Sequence, residues 1–320
     1  MPGYTRLVDE PDYSHYNALS RAVVFRRIQS QREEGIVAHL VSPHGRRLKP
    51  LMADAREIDE ESTRAASLTA LHLGTKEVSD LIMMAMGAFS PLYGFMTRED
   101  YLGTVEWMRL ADGTLWPIPV TLPVSSEEAL SIRQSQEVAL LDNSTGELFG
   151  LMRVEDKFSY DLEKEAKEVF RTEDRAHPGV SKLYSQGEMY VGGPVKVLSE
   201  GSYPERFPEF ARPAETRRIF LERGWSTVTA FQTRNPMHRS HEYLVKIALE
   251  VSDGVLLHPI VGQLKKGDIP AEVRMRCYKV MLEKYFPKES VVPKGLSYGN
   301  ALRRAARSRA TCYNTPELRL

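Results

Sequence analysis

The stretch Gln232-Thr233-Arg234-Asn235-Pro236-Met237-His238-Arg239-Ser240-His241 decides how this chain is read. Before it, Trp225 to Phe231 is rich in β-branched and aromatic residues and predicts a strand. After it, Glu242 to Glu250 has helical apolar spacing. The ten residues therefore fall on a strand-to-helix turn. Free N–H groups and the positive end of a helix dipole make such a turn a ready anion site. His238 and His241 are three residues apart, a spacing that places both imidazoles on one helix face, within reach of one phosphate chain. Arg234 adds a permanent cationic fork for a tetrahedral oxyanion, and the amides of Gln232 and Asn235 add neutral hydrogen bonds. Pro236 sets the backbone at the start of the helix. An isolated H-x-x-H pair is more often two ordinary histidines at a solvated helix start.

Outward from this turn the chain alternates. Ala214 to Gly224 predicts a helix closed by a glycine cap, Val255 to Val261 a strand, and Pro270 to about Tyr285 a helix. Alternating strands and helices imply a parallel α/β sheet, with ligand at the carboxyl end of its first strand. From about Val37 to Glu200 the pattern changes to short strand-like runs punctuated by glycine and proline, such as Ile118 to Val124 and Met189 to Leu198, which predicts a β-rich domain.

The chain has 320 residues, zero formal net charge and two cysteines, Cys277 and Cys312. That is room for two domains at roughly 100–200 residues each. The charge balance gives no sign of a nucleic-acid or acidic partner. Two cysteines exclude a disulfide framework, and neither has metal-ligand spacing. No apolar run is long enough to span a membrane, and the N-terminus lacks the apolar core of a signal peptide, so a cytoplasmic location is expected. Neither a G-x4-G-K-[ST] nor a G-x-G-x-x-G pattern occurs, so any ATP is held by the histidine turn. The same absence argues against a fused kinase for adenylyl sulfate.

The string from Gln232 to Glu242 resembles the active-site signature of the bacterial ATP sulfurylases (sulfate adenylyltransferases), members of the H-x-x-H nucleotidyltransferases. Further similar segments follow in the family's order. They are Ser42-Pro43-His44-Gly45, Gly87 to Met96, Trp116 to Pro119, His177 to Val180, Gly193-Pro194-Val195, His258 to Gly262 and Gly267 to Pro270. The resemblance runs from about Val37 to Lys294. Ser240 stands where the commoner family pattern has glycine.

The resemblance implies an α/β protein: a β-rich PUA-like N-terminal domain, then a Rossmann-like nucleotidyltransferase domain incomplete at its C-terminus. The expected divisions are an extension (1–36), the PUA-like scaffold (37–203), the N-terminal part of the catalytic domain (204–294) and an anomalous tail (295–320). PUA-like folds elsewhere bind RNA, but no basic stripe interleaved with aromatics supports that role here.

The implied reaction is attack of a sulfate oxygen on the α-phosphorus of ATP, giving adenylyl sulfate and pyrophosphate, in sulfate assimilation or in reverse during sulfur oxidation. Sulfate needs no deprotonation, so the protein positions and stabilises charge. The resemblance assigns Arg234 to sulfate, Gln232 to sulfate and ATP, and Thr233 and Asn235 to ATP. His238 and His241 would stabilise charge on the leaving pyrophosphate. Mg²⁺ would arrive with ATP rather than in a protein cage. No nucleic acid or membrane partner is expected, and the full-length protein would be a homo-oligomer. The other readings are a different H-x-x-H nucleotidyltransferase and a non-catalytic PUA-like binding module.

Other residues carry weaker expectations. His258 is expected to be a strand histidine satisfied within the fold, with a second phosphate contact as the alternative. Lys265 to Asp268 reads as a mobile loop near the nucleotide or a plain turn, with Asp268 as a possible cap for the next helix. Cys277 is expected to fill core.

From Gly295 the chain departs from the family and becomes arginine-rich without periodicity. A neighbouring reading frame accounts for it. With permitted codons, the last two bases of each codon joined to the first of the next spell VYPMAMRYAGPREAVLHAIIRQNYGC across Gly295 to Leu320, which is similar to the expected family segment. One extra base near the Lys294–Gly295 junction would produce the tail. The A-G-P-R-E loop and a later G-R-D-H-A-G segment would then be missing. The 320-residue chain would turn over slowly or not at all and, with an unpaired sheet edge, would be poorly stable.

Overall fold

In a computed structural model the described residues are 39–206, 211–233, 235–261, 269–294 and 296–297. They form two compact units, one built mainly on Val41–Arg217, the other mainly on Arg218–Pro259 and Leu264–Pro293.

The first unit carries helix α1 (Ala55–Ala65), strand β1 (Thr69–Leu73), α2 (Thr75–Ala85), β2 (Gly94–Phe95), α3 (Arg98–Trp107), β3 (Leu122–Val124), β4 (Glu137–Asp142), β5 (Leu148–Arg153), β6 (Asp156–Ser159) and β7 (Met189–Val197). These seven strands make one sheet in the order β1-β4-β5-β7-β2, with β3 and β6 also on β7. Only β1 and β4 run parallel. Strand β7 is the hub, and its glycines explain how it serves four neighbours. A Cβ on Gly192 would lie 2.2 Å from the Met96 carbonyl oxygen, and one on Gly193 2.0 Å from that of Arg153. The core is continuous across sheet and helices, from Leu71 and Leu73 through Leu81 and Met84 to Leu122, Phe158 and Tyr190. Helix α1 starts on a reciprocal capping box between Asp54 and Glu57.

The strand expected over Ile118 to Val124 is shorter, confined to Leu122–Val124. Pro117 and Pro119 have no N–H to give a ladder, so the residues before Leu122 stay irregular.

The second unit follows α4 (Pro213–Glu222), whose last turn is succeeded by Gly224 at φ +73°. It contains β8 (Val228–Thr233), α5 (Arg239–Val251), β9 (Gly254–Val261) as far as Pro259, α6 (Ala271–Lys284) and β10 (Val291–Pro293), while β11 (Leu296–Ser297) is grouped with the first unit. The pairings β8–β9, β10–β9 and β11–β9 are all parallel, as the alternating pattern requires. Among the described residues β8 pairs with β9 and no other strand. Trp225, expected to open β8, instead precedes it. The indole is buried, stacks on Phe220 at 5.6 Å and fills the space above Gly254. The core beneath the helices joins Val245, Leu249, Val255, Leu257, Tyr278 and Phe286.

Candidate functional site

The site is built where β8 ends and α5 begins. Strand β8 delivers Gln232, exposed and level with His258 of β9, and then Thr233, which is buried. The Thr233 hydroxyl accepts the N–H of Asn235 at 3.1 Å, closing the chain into a turn. On the far side of the turn the Tyr278 hydroxyl, projecting from α6, donates to the Asn235 carbonyl at 2.6 Å. Met237 is driven into the core, which leaves Asn235 and His238 exposed on either side of it.

The two histidines meet, but not for the reason their spacing suggested. His238 is the N-cap of α5, with extended backbone angles, rather than a residue of its first turn. Its Nδ1 accepts the Ser240 N–H at 3.3 Å, and Nδ1 of His241 accepts the N–H of His238 at 3.3 Å. This is a capping box made by two imidazoles. It brings their ring centroids to 3.9 Å. Pro236 accordingly lies two residues before the cap, not at the first helical position. The edge of Phe231 meets His241 at 5.8 Å between centroids. Burial, and then the neighbouring His238, pull the His241 imidazole below its ordinary pKa.

Around this turn the charges are arranged along α5. Glu242 is buried in its first turn, where a carboxylate complements the dipole, and is paired with Lys246 at 2.6 Å and Arg239 at 3.6 Å. Between α5 and α6 runs a groove of about 640 Å³, lined among others by Met237, His238, Arg239, Arg276, Cys277 and Met281. Cys277, expected to fill core, instead stands half-buried in the wall of that groove.

Of the residues singled out in the sequence, the structure gathers Gln232, Thr233, Asn235, His238 and His241 on one turn. Arg234, the Lys265 to Asp268 loop and the 1–36 extension lie outside the described residues. His258 is half-buried in β9. Sequence reasoning missed Tyr278. Its only signal was a tyrosine on the apolar face of a helix, and nothing local links it to a carbonyl 43 positions earlier. Among the described residues no group of three His, Cys, Asp or Glu side chains could hold a metal ion, and no helix is long and apolar enough to cross a membrane.

Comparison with known proteins places these features in a family. The PUA-like domain family matches residues 41–200, and the ATP-sulfurylase family matches residues 209–306. The chain is 53% identical over 259 residues to a sulfate adenylyltransferase of Chlorobaculum tepidum, covering 80% of this chain and 64% of that protein. It is 52% identical over 248 residues to one of Desulforamulus reducens, at 77% and 64% coverage. It is 48% identical over 261 residues to one of Thiobacillus denitrificans, at 81% and 64%. Among solved structures it is similar to a hexameric APS kinase from Thiobacillus denitrificans. The TM-score is 0.62 and the identity 29%, over 81% of this chain and 47% of that one. The chain thus spans just under two-thirds of the length of the curated relatives it matches. A PUA-like domain joined to an ATP-sulfurylase domain, with about half the residues identical to those relatives, makes this chain a member of the ATP sulfurylase family.

Proposed function

We propose that this protein is built to transfer the adenylyl group of ATP to sulfate, forming adenylyl sulfate and pyrophosphate. The observation that carries this reading is the imidazole pair of His238 and His241, held 3.9 Å apart at the N-terminus of α5 beyond the end of β8. A helix N-terminus with its dipole and two ring N–H donors is suited to the phosphate chain of a nucleotide. Gln232 and Arg234 would meet sulfate, with Gln232 also reaching ATP. Asn235 would meet the nucleotide phosphates, and Thr233 would act through its hydrogen bond to the turn. Mg²⁺ would enter as MgATP, with the phosphate oxygens and water as its ligands. Homo-oligomerisation, a scaffold role for residues 37–203 and a catalytic part over 204–294 belong to the same reading.

Nucleotide binding provides the test. MgATP is expected to bind in calorimetry, to be displaced by adenylyl sulfate, and to lose most of its affinity in the double variant His238→Ala/His241→Ala. Absence of binding, or binding indifferent to both histidines, would overturn the reading. Nucleotide turnover that proceeds equally without sulfate would point instead to another H-x-x-H nucleotidyltransferase.

A further inference from the structure

The reciprocal caps constrain more than the position of the two rings. A backbone N–H can only donate, so the Nδ1 atoms of His238 and His241 must both present lone pairs. In a neutral imidazole the proton must then sit on Nε2. Adding a second proton would place N–H against N–H and break the cap it entered. The backbone thus selects one tautomer for each ring and works against the imidazolium. The turn that sets this geometry is held at one end by Thr233 and at the other by the Tyr278 hydroxyl on the Asn235 carbonyl.

We propose that His238 and His241 take their anionic ligand as neutral imidazoles, each donating through Nε2–H, and that Tyr278 is the positioning residue that holds the turn for them. This rests on the nucleotide-binding reading above and adds how the site holds its charge. Positive charge comes from the helix N-terminus and fixed cations, while the rings contribute direction. The lowered proton affinity of His241 agrees with this arrangement. Other charged and titratable groups near the pair are Arg239 and Glu242 on α5 and Arg276, Cys277 and Tyr285 from α6 along the groove. Phe231, from β8, has nothing to titrate. Tyr278 stays protonated, since burial pushes its hydroxyl up to about 12.

The consequence is a flat pH profile. An imidazolium contact would lose affinity about ten-fold per pH unit above its pKa. Neutral donors lose none. Adenylyl sulfate is the probe, because its two acid groups stay ionised throughout. Its affinity for the 320-residue chain is expected to vary less than about two-fold between about pH 6.5 and about pH 8, below the ordinary range of a thiol. In the ¹⁵N-histidine-labelled protein at about pH 7.5, both rings should show a bare Nδ1 and a protonated Nε2. Tyr278→Phe keeps the ring and removes the hydroxyl's hydrogen bonds to the Asn235 carbonyl and with Arg274. It is expected to weaken adenylyl sulfate about five-fold and to mix the tautomer signals while the fold persists.

A protonated Nδ1 at either ring, or affinity that falls steadily with rising pH, would overturn the proposal. A folded Tyr278→Phe protein with unchanged signals and affinity would remove Tyr278 from it. Should that variant fail to fold, the wild-type spectrum still decides the tautomers. If adenylyl sulfate binds at no pH, the nucleotide-binding reading fails, and the ring-nitrogen spectrum separately decides whether the caps select the tautomers.

Discussion

His241 and Asp80 show how burial acts with opposite sign on a base and an acid. His241 is held below its ordinary pKa by burial and by His238. The folded protein therefore binds fewer protons than the unfolded chain near pH 6.5. Its contribution to stability is present above that value and is lost as pH falls toward the lowered folded value. Measured against the wild type at each pH, the melting temperature of His241→Ala is expected to rise as pH falls from about 7 to about 5. Asp80, on α2, is fully buried. It has Lys76 at 3.9 Å, and neither of its oxygens has a hydrogen-bond partner. Desolvation raises its pKa well above the usual carboxylate range, against the pull of Lys76, and nearby Glu77 adds to the rise. Glu165 is also raised by burial, although Tyr101 and Tyr190 each donate to it at 2.9 Å. For these acids stability is present at low pH and is lost as pH rises through the raised values. Measured against the wild type at each pH, the melting temperature of Asp80→Asn is expected to rise from about pH 5 to about pH 8. A difference that does not change with pH would show that Asp80 does not titrate there.

At the scale of elements, the turn is only as well placed as the strands and helices that deliver it. Strand β9 begins at Gly254, where an added Cβ would lie 2.3 to 2.4 Å from three carbons of the Trp225 indole. Trp225 is sealed in place by Phe220 on one side, so neither partner can retreat cheaply. Gly254→Ala is expected to cost about 1–3 kcal/mol in chemical denaturation, and Trp225→Ala about 3–5 kcal/mol. A wild-type midpoint for either would show that this contact does not govern the start of the sheet. The helices of the second unit were legible in the sequence, their ends to within a residue or two, whereas α1 to α3 of the first unit fall in a stretch read only for its strands. The α5 and α6 spans end at Val251 and Lys284, against readings of Glu250 and about Tyr285. The strands were legible mainly as longer apolar runs: Met189 to Leu198 and Val255 to Val261 match β7 and β9 to within a residue, although each contains a proline. Trp225 was placed in β8 because aromatic residues suit strands, whereas its size is used to fill the space above Gly254.

For the molecule as a whole, the length and the chain of short motifs pointed to two domains and one family, and the comparisons agree. The tail beyond Lys294 remains a proposal with a direct test. Sequencing the coding DNA across the Lys294 codon is expected to show one extra base followed by an open frame for the missing loops. An unbroken frame would instead make residues 295 onward the family's own, in keeping with the ATP-sulfurylase match that runs to residue 306.

That a strand leads into a phosphate-suited turn and a helix follows from adjacent positions alone, because apolar period, turn chemistry and residue type are local properties. The sequence also named Gln232, Thr233, Asn235, His238 and His241 as neighbours. Packing settled that His238 caps the helix rather than riding on it, that both Nδ1 atoms face the backbone, and that Tyr278 holds the Asn235 carbonyl. Those facts depend on which backbone groups lack partners once the elements are packed. Chain folding alone brings a hydroxyl to a carbonyl 43 residues away.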